Sequence, residues 1–366
     1  MPSVSDYWSE FQASLFPFLE KVLEEPLTEK LKQFVRILDV VRVERHLPSP
    51  HSQWMGRKAL DRRSLFRAFL AKAVYDLPTT ELLLEMLRLQ PTLRRLCGYE
   101  TKRSLPSSST FSRAFAEFAA AGLGDVVHKS LVAEHIGEKV VMHVSRDATE
   151  VVAREKPVRK EKPVAKPKRK RGRPKKGEVL EPTEPKRLVK QLEQTPEEAI
   201  AELPRVCNVG SKKDSKGHAH SWIGWKAHID WADGAVPLNV LTTSASLHDS
   251  QVAIPMSRIT AQRVTSLYDL MDSAYDAPQI REVSEQLGHV ALIDPHPRRG
   301  GERLPWEPDR VRRYQERTTA ERGNSRLKDE FGLRHLRVRG HAKAHLHIMF
   351  GIVALFADQL RHVLSG

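Results

Sequence analysis

Four side chains near the carboxyl end carry functional groups at helical spacing: Tyr314, Arg317, Glu321 and Lys328, within the run YQERTTAERGNSRLK. At about 100° per residue they fall within roughly 60° of one another on a helix. One face then presents a phenol, two cations and a carboxylate. The carboxylate can hold a divalent cation while the cations hold phosphate oxygens. The same spacing also fits a solvated helix laced with Glu/Arg pairs. Upstream acids weigh in the balance. Asp147 comes just after Lys139–Ser145, an apolar run that reads as a buried strand, and Asp272 just after the strand candidate Leu267–Met271. An acid past the carboxyl end of a central strand is where open α/β sheets put ligand chemistry, although Asp also begins turns. Asp269 points three residues back, to the other face of the strand, and Asp276 falls in the following turn. Asp272 is the one at the strand end itself. The order Asp147, Asp272, Glu321 has intervals of 125 and 49 residues. Three convergent acids can hold two Mg²⁺ or Mn²⁺ ions, which stabilise the attacking and leaving oxygens of an in-line phosphoryl transfer. Oxygen ligands suit such hard cations.

These groups need an α/β layer to position them, and the chain supplies its pattern. WIGWKAHID and VPLNVLTT, between Trp222 and Thr243, are strand-like and joined through an Asp-Gly hairpin signal at Asp233-Gly234. His248-Asp249 then opens a helix. LYDLM leads into a helix over Gln279–Leu287, and HVALI at His289–Ile293 is another buried strand. Alternating strand and helix argue for an α/β fold. His218, His220 and His228 lack a cysteine or carboxylate at zinc-binding spacing. Ahead of this layer the pattern is helical. Residues 1–50 open with a one-faced stripe of Phe11, Leu15, Phe18, Leu19 and Leu23. From Arg57 to Gly122 several short helices are joined by tight turns, one capped by Thr80 and one following Pro106-Ser-Ser-Ser-Thr110. With Arg and Lys on the open faces, this segment suits a small helical DNA-binding module, or a helical scaffold for the rest.

The chain has 366 residues, 40% of them hydrophobic, which allows two or three domains with a real core. Its two cysteines, Cys97 and Cys207, give no disulfide framework and no zinc pattern, which fits a reducing compartment. No basic start followed by an apolar run opens the sequence, so no secretory leader is expected. The most apolar stretch, Ile348–Ala357, is too short to span a bilayer and reads as a core helix. The net charge of +14 is concentrated: Arg154–Gly177 holds thirteen Lys/Arg against two Glu. Such an arm is usually unstructured and meets a polyanion, with nucleic acid ahead of an anionic membrane because the arm has no apolar anchor. Within it, KRKRGRPKKG sets Arg171 and Arg173 on either side of a glycine before a proline. That motif resembles an AT-hook, which lies in a narrow A·T-rich minor groove. Residues 154–205 as a whole read as a low-complexity, disordered insert, with weak helical character and many acids over Pro182–Leu203.

Taken together, Tyr-x2-Arg-x3-Glu-x6-Lys at Tyr314, Arg317, Glu321 and Lys328 resembles the signature of bacterial insertion-sequence transposases of the DDE class. RTTAERGNSRLKDEFGLRHLRVRG around it, DATEVVAREKP around Asp147 and DSAYDA around Asp272 are similar to the same group. The helical segment 57–121, ending PSSSTFSRAF, resembles the domain that precedes the catalytic core in these enzymes. The likeness leaves out only the first 40 residues and 178–205. It implies an RNase H-like core over 136–366, interrupted by the insert 154–205, after an N-terminal helical segment (1–50) and a helical DNA-binding domain (51–135). It also implies DNA cleavage by water and strand transfer by a 3′ hydroxyl with Mg²⁺ or Mn²⁺ at Asp147, Asp272 and Glu321. Arg317 and Lys328 would hold DNA phosphates, with Tyr314 packed or stacked beside them. The partner is double-stranded DNA, bound by a homodimer that brings two ends together in the bacterial cytoplasm, at the nucleoid. Two departures stand out. The basic insert lengthens the first interval between acids, and the second leaves no room for the large β-rich insertion that some relatives carry.

Overall fold

The computed structural model describes residues 27–47, 60–158, 185–213, 217–295 and 306–364. The chain divides into two units. One takes in residues up to His135 together with 322–337 and 342–366, and the other takes in Ile136–Glu321 and Val338–His341.

The first unit is helical. It contains α1 (Glu29–Val41), α2 (Arg62–Val74), α3 (Thr80–Leu89), α4 (Pro91–Leu96), α5 (Ser108–Ala120) and α6 (Leu123–His135). Side-chain caps set the starts of several. Thr28 accepts from the Leu31 amide, and Asp61 from that of Arg63. Thr79, one residue earlier than expected, accepts from the Leu82 amide and so caps α3. Phe66 and Phe69 of α2 meet Phe118 of α5, and both also meet Phe350 of the unit's long C-terminal helix, with ring centroids 5.0–6.4 Å apart. Aromatic edges and faces packed at such distances add to plain area burial.

The second unit is built on a mixed sheet of six strands: β1 (Val140–Val152), β2 (Asn208–Lys213), β3 (Ala219–Ala232), β4 (Val236–Ser244), β5 (Thr265–Met271) and β6 (Val290–Ile293). Beside it run α7 (Arg187–Glu193), α8 (Pro196–Ala201), α9 (Ala253–Arg263), α10 (Pro278–Gln286), α11 (Pro308–Gln315) and the start of α12 (Thr318–Asp329). The last helix of the chain is α13 (His341–Leu364). A mixed sheet flanked by helices, after a helical N-terminal region, is the expected RNase H-like arrangement.

Sheet register decides what reaches the site. β1 pairs antiparallel with β3 from Ser145↔Trp231 to Val152↔Gly224, and parallel with β5 only up to Ser145↔Leu270. β5 pairs parallel with β6, and β3 pairs on its far edge with β2 and then β4. Gly224 sits where that far edge changes partner. A Cβ there would lie 2.1 Å from the Val151 carbonyl oxygen, so only glycine fits.

Three sequence expectations change. Asp147 is not past a strand end, because β1 runs on to Val152. Its pairing with β5 stops at Ser145, and β3 carries β1 further. Tyr314–Lys328 is not one helix. α11 ends at Gln315, and α12 begins at Thr318. Between them the amides of Glu316, Arg317, Thr319 and Ala320 all bond three residues back, so the turn tightens and the common face is lost. Finally, part of the stretch 154–205 is ordered. In α7, Leu188 and Leu192 pack on the core of Ile254, Met271 and Ile280, and Arg258 of α9 donates to the Gln191, Leu192 and Gln194 carbonyls at 2.6–3.0 Å. A cation on the orphan carbonyls of a helix end fixes α7 in place. Strand β2 was likewise not anticipated. The AT-hook-like residues Arg171 and Arg173 lie outside the described residues.

Candidate active site

Asp147 and Asp272 lie within electrostatic reach of each other where the pairing of β1 with β5 ends, and Arg317 stands beside Asp147. Asp147 shares its sheet face with Ser145, since side chains alternate along β1. That face meets the turn between α11 and α12: the Ser145 hydroxyl donates to the Glu316 carbonyl at 3.5 Å, and Arg317 Nη1 lies 3.8 Å from Asp147 Oδ1. Arg317 Nη2 also donates to Glu321 Oε1 at 3.0 Å. The guanidinium therefore bridges Asp147 and Glu321. Breaking the helix at Glu316–Arg317 is what allows Arg317 to turn toward β1 while Glu321 stays in the first turn of α12.

Asp272 follows β5 directly. It caps the turn Ser273–Tyr275, with Oδ1 accepting from the Ala274 amide at 2.9 Å. The alternative second acids have other partners. Asp269 is buried and accepts from the Ser284 hydroxyl at 2.7 Å, with His289 Nδ1 3.2 Å away. Asp276 accepts from Arg281 at 2.9 Å. Tyr314 lies beside Arg317, whose charge it feels. Its hydroxyl donates to the Met271 carbonyl at 3.2 Å, and its ring meets Trp306 edge-on at 4.9 Å. Lys328 stands seven residues beyond Glu321 on α12, within the part of the helix that belongs to the first unit.

On the opposite face of β1, Arg146 is buried with Asp230 of β3. The two are joined by bonds of 2.7 and 2.8 Å, and Arg146 Nη1 donates to the Ala253 carbonyl and the Ser257 hydroxyl of α9. This pair anchors the strand segment that carries Asp147. Sequence reasoning missed it, because a buried Arg-Asp pair on neighbouring strands has no local pattern.

Electrostatics single out Asp147. Burial pushes its carboxyl up to about 6; Arg317 pulls it down, while Asp272 and Asp249 push it further up. Burial also raises Asp272, with the Ala274 amide and Arg317 opposing and Asp249 and Asp294 adding to the rise. Two acids not singled out from sequence thus face the pair. Asp294 had a usable signal, since it directly follows β6 as Asp272 follows β5. Among the described residues, no group of three or more His, Cys, Asp or Glu is arranged to hold a metal ion. The donor set nevertheless fits Mg²⁺ or Mn²⁺. It offers carboxylate oxygens from Asp147 and Asp272, both partly buried, with Asp272 close enough to raise the proton affinity of Asp147, and such a pair calls for positive charge. Arg317 supplies that charge in this structure.

Among the described residues no helix is long and apolar enough to cross a membrane. No curated protein and no solved structure matches the chain. Two family models do. The family described as Transposase domain (DUF772) matches residues 20–117, and that described as Transposase DDE domain matches residues 147–357. The second match begins at Asp147 and spans Asp272 and Glu321, more than half of the chain. With the mixed sheet and its strand-end acids, this means that the chain belongs to the DDE transposases of insertion sequences.

Proposed function

We propose that this transposase cleaves DNA at the ends of its insertion sequence and joins the freed 3′ ends to target DNA, with Asp147, Asp272 and Glu321 as the metal-holding acids. The observation that carries this reading is the meeting of Asp147 and Asp272 beside Arg317, which is itself bonded to Glu321. Asp147 lies on β1 and Asp272 directly after the neighbouring β5, and Glu321, in the first turn of α12, is tied to the Asp147 face through Arg317. When bound, divalent cations supply charge stabilisation for the entering and leaving oxygens. Arg317 neutralises the acids before loading, and then turns to a phosphate oxygen of the bound strand, the bidentate partner that a guanidinium favours. Lys328 holds a DNA phosphate.

Double-stranded DNA is the partner. The basic arm, with Arg171 and Arg173 in an A·T-rich minor groove, adds affinity that depends on salt. A homodimer brings two ends together, in the bacterial cytoplasm where the DNA lies. The test is cleavage of DNA carrying the element's ends, with Mg²⁺ or Mn²⁺, by the purified chain and by Asp147→Asn, Asp272→Asn and Glu321→Gln. The expected outcome is cleavage by wild type alone, with DNA binding kept by all four. Cleavage by any of the variants at the wild-type rate would remove that residue from the centre.

A further inference from the structure

Asp249 begins a short turn, Asp249–Val252, after β4, and this turn packs against Ser273–Tyr275, the turn that Asp272 caps. Lys226 and His228 of β3 lie beneath it. They share the sheet face of Asp230 and Arg146, opposite to Asp147 and Arg317. Lys226 Nζ donates to Asp249 Oδ1 at 2.7 Å and to the Leu247 carbonyl at 2.9 Å.

Two buried polar atoms surround this carboxylate without a hydrogen-bond partner: the Tyr275 hydroxyl and His228 Nδ1. The 2.8 Å contact between His228 Nε2 and the Thr243 hydroxyl fits either imidazole tautomer. His228 Nδ1, without a hydrogen-bond partner, lies 4.0 Å from Asp249 Oδ1. A small movement of the carboxylate would let that nitrogen donate to it. Burial keeps the Tyr275 phenol protonated, and the charges of Asp249, Asp147 and Asp272 add to that effect. A sealed hydroxyl among three carboxylates, bonded to none, is costly unless the group rearranges to use it.

We propose that Asp249 is a fourth carboxylate of the metal centre, presented from the sheet face opposite to Glu321, with the Tyr275 hydroxyl and His228 Nδ1 as the polar groups that steady it there. This rests on the metal reading of Asp147 and Asp272. The acids are matched to basic side chains one face at a time: Arg317 serves Asp147 and Glu321, and Lys226 serves Asp249. With a divalent cation held by Asp147 and Asp272, Arg317 would no longer be needed to neutralise them, and Asp249 would turn from Lys226 towards them. Tyr275 then has a carboxylate to donate to.

The test is Mn²⁺ binding to the full chain without DNA, read by electron paramagnetic resonance of free Mn²⁺. Asp249→Asn is expected to weaken binding about tenfold or more, the scale on which groups around a metal act. Because that change leaves Lys226 half-sealed without its partner, Lys226→Met and the double variant Lys226→Met/Asp249→Asn are measured beside it. Lys226→Met alone is expected not to weaken binding, and the double variant is expected to match Asp249→Asn. Wild-type affinity in the double variant would overturn the proposal and leave Asp249 as a partner for Lys226 only. Asp147→Asn is the control for the wider reading. If it too binds Mn²⁺ as wild type does, the metal centre itself fails; if it loses binding while Asp249→Asn keeps it, only the role of Asp249 fails.

Discussion

The Tyr314 hydroxyl donates to the Met271 carbonyl at 3.2 Å, one residue before Asp272. The same carbonyl accepts the Asp294 amide at 3.2 Å. One oxygen therefore ties α11 to the ends of both β5 and β6. Burial pushes the Tyr314 phenol up to about 12, so it remains a donor at neutral pH. Replacing Tyr314 by Phe removes that bond but leaves the Asp294 amide on the carbonyl. A stability loss of about 0.5–1.5 kcal/mol is expected, as for a single neutral hydrogen bond. Cleavage is expected to fall by more than that stability loss accounts for, because the turn carrying Arg317 is no longer fixed to the Asp272 strand. Denaturant unfolding and the cleavage rate, measured side by side, check this. A wild-type rate would mean that the bond has no part in shaping the site.

Asp147 trades stability for its position. An unfolded aspartate titrates near 3.8 and the folded Asp147 near about 6. The folded state thus holds its proton more tightly. Ionised Asp147 carries a penalty that is complete above about pH 6 and disappears as pH falls below the unfolded value. Asp147→Asn removes that penalty. At pH 7 the variant is expected to be more stable than wild type in the absence of metal, by on the order of 1–3 kcal/mol. At pH 4 the two should melt nearly together. Thermal unfolding at both pH values decides; a variant less stable than wild type at pH 7 would contradict the penalty.

Behind Asp147, the Arg146–Asp230 pair is sealed from solvent, and the Thr260 hydroxyl adds a further bond to Asp230. Asp230→Asn strands a buried guanidinium and is expected to cost about 3–5 kcal/mol. Arg146→Met/Asp230→Leu removes both charges and is expected to recover most of that loss. Urea midpoints for the single and double variants test the pair, and additive losses would show that it is not coupled.

The basic arm is tested by salt. Removing Lys168–Lys176 takes away seven of the thirteen Lys/Arg of the segment 154–177. The slope of log affinity for DNA against log salt is expected to flatten, roughly in proportion to the phosphates no longer neutralised. An unchanged slope would take the arm off the DNA.

How much of this was legible follows from which signals are local. Strand-end acids are: Asp272 lies where the run LYDLM predicted, and Asp294 obeys the same rule after HVALI. Helical spacing is local too, but it misled over Tyr314–Lys328. The four residues lie at helical intervals, yet the chain breaks at Glu316–Arg317, because Arg317 has a partner across the sheet that no window of sequence reveals. Asp147 appeared to end a strand because the apolar run stops at Ser145. The strand continues, since the polar residues after it are paired with β3, whose sequence lies some eighty residues away. The buried Arg146–Asp230 pair and the Asp249 turn are long-range facts of the same kind. Helices α7 and α8 showed only as weak helical character over Pro182–Leu203 because of their charged setting, and Leu188, Leu192 and Ile200 mark the sides that pack.

The most direct measurement of the central claim is excision in cells. A marker flanked by the DNA that borders this gene is supplied with the wild-type chain or with Glu321→Gln. Excision by wild type and none by the variant is the expected result, because Glu321 is held as the third acid. Excision by Glu321→Gln at the wild-type frequency would contradict the Asp147, Asp272 and Glu321 account.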